Sequence, residues 1–316
     1  MKAIILEQYG DPSVLHLADL PDPAVGVDEL LVRVCASGIN PIDLGIRQGR
    51  VLPDEPSQFP MVLGWDAAGI VERMGESVTG FNKGDRVVLI SKQPSTRRGT
   101  HAELVAVPST QAVKLPDSLS FVVAAALPLA GITALQAVEA LSLSPGQTLL
   151  INNPLGAVGG FASQIAQHLG IHVLAPASSA LAEEAKSQGV KTLLSAGQDL
   201  SKSVRAIKAE GVDGAIDLVG DSIAHETLNA VRDGGSYVTV LPEWWKPGGP
   251  YSKSRNITPT VVENSPNQAD LVKLVGWLTA SVISPRIDCT FPLHLAAEAH
   301  KLHEQPGLNR KLVLEH

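Results

Sequence analysis

The feature that most narrows the choice of fold is a regular exchange of strand-like and helix-like segments between Thr148 and Leu241. Short β-prone runs read TLLIN (148–152), IHVLA (171–175), TLLS (192–195), AIDLVG (215–220) and SYVTVL (236–241). Between them lie VGGFASQIAQHLG, ALAEEAKSQG, SKSVRAIKAEG and SIAHETLNAV, which read as helices. A strand can run parallel to its neighbour only after a crossover of about a dozen residues or more, and a helix usually supplies it. The rhythm therefore predicts βαβ units and a Rossmann-type, doubly wound parallel sheet.

The first crossover opens with NNPLGAVGGFASQIAQHLG (152–170), with glycines at 156, 159 and 160. A dinucleotide fingerprint, G-x-G-x-x-G, needs a strand before it and a helix after it, and both are present. Pro154 stands where the first glycine would be. It removes one N–H and fixes one φ, which the end of a strand tolerates. Spacing alone allows either a phosphate cradle or a glycine-rich helix entrance; the position at the head of a βαβ series favours the cradle. Gly156 would then let the backbone approach a pyrophosphate, and Gly159 would permit close helix–strand packing. The N–H groups of the helix start, at Ala157 and Val158, would face the phosphates.

The end of the second strand bears on which dinucleotide. A site for NAD usually places Asp or Glu about 20 residues on, to hold the ribose 2′-hydroxyl. Here that stretch is APASSA, and the nearest acids, Glu183 and Glu184, lie in the following helix. Ser178 and Ser179 offer hydroxyls to a 2′-phosphate, so NADP(H) is favoured over NAD(H).

The remainder divides differently. Up to about residue 118, β-prone runs such as KAIILE, ELLVRVCA, AAGIVERMG and DRVVLI alternate with turn signals, which suggests a barrel-like β domain. Leu119 to Val138 is uncharged and nominally long enough to span a bilayer, but Pro128 and Gly131 interrupt it. A buried helix pair is expected instead, the first capped by Ser120 and ended at Leu127–Pro128. TFPLHLAAEAHKLHE reads as a strand and a helix, and KLVL as a last strand. With 316 residues, one large domain or two ordinary ones are expected. Net charge is −7 and no Lys/Arg block occurs, so nucleic acid and anionic membrane are poor partners and a small-molecule substrate is expected. Cys35 and Cys289 lie far apart in apolar contexts and read as buried, reduced thiols. The first residues lack a signal peptide's apolar core and cleavage site, so a cytoplasmic location is expected. The final Leu-Glu-His looks like an expression-tag scar, and Glu315 and His316 are given no functional role. No G-x-S-x-G elbow is present, which disfavours a hydrolase.

Taken together, VRVCASGINPIDLGIRQG, FPMVLGWDAAGIVERMGESVTGFNKGDRVV, LPLAGITALQAV, the glycine loop, the ASS segment, DLVGD and FPLHLAAEAH follow one another in an order that resembles the medium-chain dehydrogenase/reductase superfamily. The resemblance is to its zinc-free quinone oxidoreductase (zeta-crystallin-like) branch and covers essentially residues 1–314. It implies a GroES-like β-barrel domain at 1–118, completed by 259–316, and a Rossmann dinucleotide-binding domain at 119–258. Zinc-dependent members carry Cys where this chain has Asn40, and His-Glu where it has Trp65-Asp66. Two distant cysteines cannot build a four-Cys lobe, and the His300/His303 pair lies in a stretch resembling a structural segment, so no metal is expected.

The resemblance further implies roles. Thr133 would hydrogen-bond the nicotinamide carboxamide, and Asn40 would lie beside the ring or the substrate as a catalytic residue. Val219, Gly220 and Leu241 would touch the cofactor through their backbones. Trp65 would project into the former metal site and shape a pocket for a flat substrate. Trp244, Trp245 and Tyr251 would form a substrate wall or, equally, a dimer contact or plain packing. The expected activity is zinc-independent hydride transfer from NADPH to a quinone or an activated alkene or carbonyl; the alternative is an NADPH-binding sensor or structural protein with little turnover. A homodimer by sheet extension is expected, with SYVTVL as an apolar edge strand.

Overall fold

The computed structural model describes residues 1–51, 59–91, 99–241, 253–305 and 311–316. The chain divides into two compact units. One comprises Met1–Leu129, Pro266–Ala280 and Ile287–His316; the other comprises Ala130–Ser265 and Ser281–Arg286.

The first unit begins with β1 (Lys2–Leu6), β2 (His16–Asp19) and β3 (Glu29–Ile39), followed by helix α1 (Pro41–Arg47). Then come β4 (Met61–Val62), β5 (Asp66–Met74), β6 (Arg86–Ile90), β7 (Leu104–Pro108) and β8 (Ala112–Lys114). The long strand β3 is the spine. It pairs antiparallel with β5, from Leu30↔Met74 to Gly38↔Asp66, and with β7, from Glu29↔Pro108 to Arg33↔Leu104. At Gly69 the backbones of β5 and β3 are so close that a Cβ would stand 2.1 Å from the Arg33 carbonyl oxygen. Helix α2 (Phe121–Ala125) is capped by Ser120, whose hydroxyl accepts from the Val123 N–H, and packs on β3 and β5. That packing carries the first unit to Leu129, beyond the border at 118 read from the sequence. Pro128 then occupies the first turn of helix α3 (Pro128–Ala140), where its missing N–H costs nothing.

The second unit holds β9 (Thr148–Ile151), β10 (His172–Ala177), β11 (Thr192–Ser195), β12 (Val212–Asp217), β13 (Val231–Thr239) and β14 (Thr258–Val261). The crossovers are α4 (Ala157–His168), α5 (Ala182–Ser187), α6 (Leu200–Ile207) and α7 (Asp221–Ala230). All the pairings are parallel, and the strand order is β11-β10-β9-β12-β13-β14. Counted within this sheet, that is 3-2-1-4-5-6, the doubly wound order with its switch point beside the first strand. Leu149, Leu150, Ile151, Val173, Ala215 and Ile216 are almost fully buried, as strands covered on both faces require.

Two expectations change here. SYVTVL is not an edge: β13 pairs with β12 on one side and with β14 on the other, from Ser236↔Thr258 to Thr239↔Val261. Its apolar character reflects burial inside the sheet. Residues 259–265 and 281–286 also fall in the second unit rather than completing the first, because β14 extends its sheet and Ser284 bonds to Gln164 of α4. The sequence reading overlooked β14 and helix α8 (Gln268–Thr279).

The chain returns to the first unit as β15 (Ile287–Pro292), helix α9 (Ala296–His303) and β16 (Lys311–Glu315). β16 pairs antiparallel with β3, from Leu312↔Ile39 to Glu315↔Ala36. Glu315 therefore sits in a strand, and Ser37 Oγ lies 2.8 Å from His316 Nε2. Among the described residues no helix is long and apolar enough to cross a membrane.

If β13 is internal, hydrogen exchange should find the Tyr237–Thr239 amides among the slowest in the second unit. The Thr260–Val261 amides of β14 should exchange faster. Equal rates would contradict the strand order.

Candidate functional site

In a doubly wound sheet, ligands gather at the carboxyl ends of the strands beside the switch point. In the second unit those ends are tied by a buried polar network. Asn152, directly after β9, donates its Nδ2 to Asp217 Oδ1 at 2.6 Å and to Thr227 Oγ1 at 3.1 Å. Its Oδ1 accepts from the Leu218 N–H at 2.9 Å. Asp217 Oδ1 also accepts from the backbone N–H groups of Val219 (3.1 Å) and Gly220 (3.0 Å). Thr239 Oγ1 donates to Asp217 Oδ2 and accepts from the Leu241 N–H. Burial, and then the Asp217 charge, push the Tyr237 hydroxyl far above its usual range, so it stays neutral beneath this network. The loop at 218–220 and the start of the segment at Leu241 are thus held by side chains that never reach the surface.

The glycine loop follows Asn152. Gly156 is the N-cap of α4, with φ −71° and ψ 165°; no side chain caps the helix and its first turn holds no acid. Its first-turn N–H groups have no carbonyl within the helix to donate to. The three glycines differ in what a side chain would meet. At Gly159 a Cβ would stand 1.8 Å from the Asn153 carbonyl oxygen, so only glycine lets the helix lie against the strand exit. At Gly156 its nearest neighbour would be the end of the Asn153 side chain, at 2.8 Å. Gly220 has φ +84°, a conformation that favours glycine. Ser178, at the end of β10, caps a short 3-10 turn, Ser179–Leu181, and both serines are exposed without a carboxylate in the turn. An uncapped helix start, glycine at the point of approach and neutral hydroxyl donors beyond the second strand fit a phosphorylated dinucleotide. Thr133, on α3, accepts from Asn264 Nδ2 at 2.8 Å.

The structure thus brings Gly156, Ala157, Val158, Gly159, Ser178, Ser179, Val219, Gly220, Leu241 and Thr133 into one unit. Trp244, Trp245 and Tyr251 lie outside the described residues. Sequence reasoning missed Asn152, Asp217, Thr227 and Thr239. A usable signal existed: an Asn and an Asp at the ends of otherwise apolar parallel strands must be satisfied by something.

Asn40 and Trp65 belong to the first unit, where they have other duties. Lys311, the first residue of β16, is 2% exposed and donates Nζ to Asn40 Oδ1 and, at 2.6 Å, to Asp66 Oδ2. Asn40 Nδ2 donates to the same Asp66 oxygen at 2.9 Å, and Asp66 Oδ1 accepts from the Leu129 N–H. Both ends of the Asn40 amide are therefore engaged. Asp43 accepts from the Asn40 and Gly64 N–H groups, each at 2.9 Å, and fixes both segments. Burial pushes its carboxyl up to about 7, against the opposing pull of those two bonds. Trp65 packs inside the hydrophobic cluster with Leu44, Ile46, Leu63 and Met61 at 9% exposure. Its ring packs as part of the core at that position.

These residues do not fit zinc. An amide and a carboxylate already share an ammonium, and Trp65 offers no ligand. His300 stacks edge-on against His101 at 6.0 Å, and burial drives both well below the usual histidine range. Among the described residues no group of three or more His, Cys, Asp or Glu is placed to hold a metal ion.

Comparison with known proteins follows this geometry. Residues 26–117 match the alcohol dehydrogenase GroES-like domain and residues 189–314 the zinc-binding dehydrogenase family. The human synaptic vesicle membrane protein VAT-1 homolog-like is 30% identical, covering 100% of this chain and 81% of its own length. The quinone oxidoreductase of Sus scrofa is 29% identical, covering 99% and 97% respectively. Among solved structures, a mycobacterial protein complexed with NADPH superposes with a TM-score of 0.87 at 27% identity, covering 100% of both chains.

Two outcomes test the site's construction. Gly159→Val should lower the stability of the ligand-free protein by at least ~2 kcal/mol, since backbone must move. Gly156→Val should melt close to the unaltered protein; thermal melts that rank the two alike would refute this division. Lys311→Met should cost about 3–5 kcal/mol by stranding the Asp66 charge, and Lys311→Met with Asp66→Asn should recover part of it. Additive losses in denaturant titrations would contradict the pairing.

Proposed function

The chain belongs to the medium-chain dehydrogenase/reductase superfamily, in its quinone oxidoreductase-like branch of oxidoreductases, and on that premise we propose that it is an NADPH-dependent reductase. Its hydride acceptor would be a quinone or an activated alkene or carbonyl compound, reduced without zinc. The observation that carries the reading is the acid-free start of α4, which no side chain caps, together with a second-strand exit that offers Ser178 and Ser179 and no carboxylate. The pig relative named for quinone reduction and the NADPH-bound mycobacterial neighbour support it.

In this reading the N–H groups of Ala157, Val158 and Gly159 hold the pyrophosphate. Ser178 and Ser179 donate to the 2′-phosphate. Val219, Gly220 and Leu241 present backbone held in place by Asp217 and Thr239. Thr133, positioned by Asn264, takes the carboxamide. The dihydronicotinamide, when bound, supplies the hydride. Asn40 contributes as a rigid element, because Lys311 and Asp66 fix its amide. A quinone or enone accepts hydride without a strong Lewis acid and takes its proton from water, which suits a chain whose Asn40, Trp65 and Asp66 do not fit zinc. We also propose a homodimer; among the described residues, β11 and β14 are the two edges of the parallel sheet that a second copy can extend.

NADPH should bind at least tenfold more tightly than NADH in fluorescence titrations. Equal affinity, or tighter NADH, would refute the choice of cofactor. Stopped-flow mixing of the NADPH complex with a panel of quinones and enones should oxidise it, and a chelator should leave the rate unchanged. Tight binding with no oxidation by any acceptor would favour a binding protein instead. Stoichiometric zinc by elemental analysis would overturn the metal-free assignment.

A further inference from the structure

The glycine loop departs from the fingerprint at Pro154, and the structure shows what secures the neighbouring Leu155. Arg286, 8% exposed in its side chain, donates Nη1 to the Leu155 carbonyl oxygen. The same guanidinium donates Nε and Nη2 to Glu184 Oε1, at 3.1 and 2.5 Å. Glu184 lies in the first turn of α5, directly after the Ser178–Leu181 turn. One planar, rigid cation thus joins the pyrophosphate loop to the connection that would carry the ribose phosphate.

The placement of Arg286 is enforced. The segment that bears it is pinned to α4 by Gln164, whose Nε2 donates to the Ser284 and Gly160 carbonyls at 3.0 Å each. Gln164 Oε1 accepts from the Ser284 N–H at 2.9 Å. The other acid of that turn, Glu183, pairs with Lys186 at the surface. Glu184 is therefore the carboxylate held closest to the loop by a bond network, and Arg286 is its partner.

We infer that Arg286 is the residue that sets the preference for a 2′-phosphorylated cofactor, by cancelling the Glu184 charge near the serine turn. The inference rests on the cofactor reading above. An uncancelled Glu184 would repel a dianionic 2′-phosphate and could accept a hydrogen bond from a 2′-hydroxyl, so discrimination should follow the ion pair. Leu155, by contrast, belongs to the loop that both cofactors share, so loss of its brace should weaken both alike.

The test is calorimetric or fluorescence titration with NADPH and NADH, and with adenosine 2′,5′-bisphosphate against AMP as probes of the ribose end alone. Arg286→Met should reduce the NADPH-to-NADH preference by about tenfold, equivalent to ~1.4 kcal/mol, and the bisphosphate-to-AMP preference alongside it. Adding Glu184→Gln to Arg286→Met should restore at least half of the lost preference, on a logarithmic scale, while both affinities stay below those of the unaltered protein. Should Arg286→Met fail to fold, Arg286→Gln keeps a donor for Leu155 while removing the charge, and must show the same loss of preference. An unchanged preference in a folded Arg286 variant, or no recovery in the double variant, would overturn the inference. The cofactor reading would fail separately and visibly, in an unaltered protein that binds neither dinucleotide.

Discussion

The second unit depends on one contact: the buried hydrogen bond from Asn152 to Asp217, 2.6 Å long, between the carboxyl ends of β9 and β12. These strands flank the switch point, where the crossovers diverge to opposite faces and the backbone has no further ladder partner. Each exit would leave N–H groups unsatisfied in the interior. Asp217 takes two of them, from Val219 and Gly220, and Asn152 takes a third, from Leu218. Such groups cost about 1–3 kcal/mol each when orphaned, so the pair does more than join two strands. It makes a sharp, glycine-containing exit possible where a ligand has to approach backbone.

The same logic appears with opposite polarity in the first unit. There a buried ammonium, Lys311, is the hub, and Asn40 and Asp66 are its acceptors. β16, α1 and β5 meet at this cation although they lie far apart in sequence. The arrangement is demanding, because a buried ion pair is tolerable only when every partner is in place. Asp43 adds a second buried carboxylate a short way off, satisfied by two backbone N–H groups instead of a cation. Its raised carboxyl follows directly from that choice: burial outweighs the two bonds.

What could be read in the chain beforehand follows from the range over which each feature is determined. The βαβ rhythm, the Ser120 cap and the role of Gly159 are local, and periodicity or a single steric conflict exposes them. SYVTVL misled because an apolar strand looks the same at an edge and inside a sheet; the covering strand, TPTV at 258–261, is short and carries a proline. The packing of Trp65 among Leu44, Ile46 and Leu63 was not legible, because a sequence position inherited from a metal site says nothing about where an indole will pack. Lys311 and Arg286 were invisible for a different reason. Each makes its decisive contacts with residues more than 100 positions away, and a lone Lys or Arg beside a β-run normally reads as a solvated charge.

The altered fingerprint can now be understood as an exchange of one kind of support for another. Glycines in such a loop let the backbone turn tightly and satisfy its own polar groups. Pro154 gives up that freedom, and the carbonyl of Leu155 beside it is satisfied from outside. Arg286 does so from the short segment 281–286 of the second unit, and Gln164 pins that segment to the helix the loop opens. Leu155 also buries apolar surface, at 6% exposure. The loop is therefore stiffened by a proline, a buried side chain and a guanidinium together. The helix start at Gly156 is held less tightly: there the nearest atoms to an added side chain belong to the movable end of Asn153. Rigidity has been moved to the loop's flanks, and the face where a phosphate would lie is kept clear.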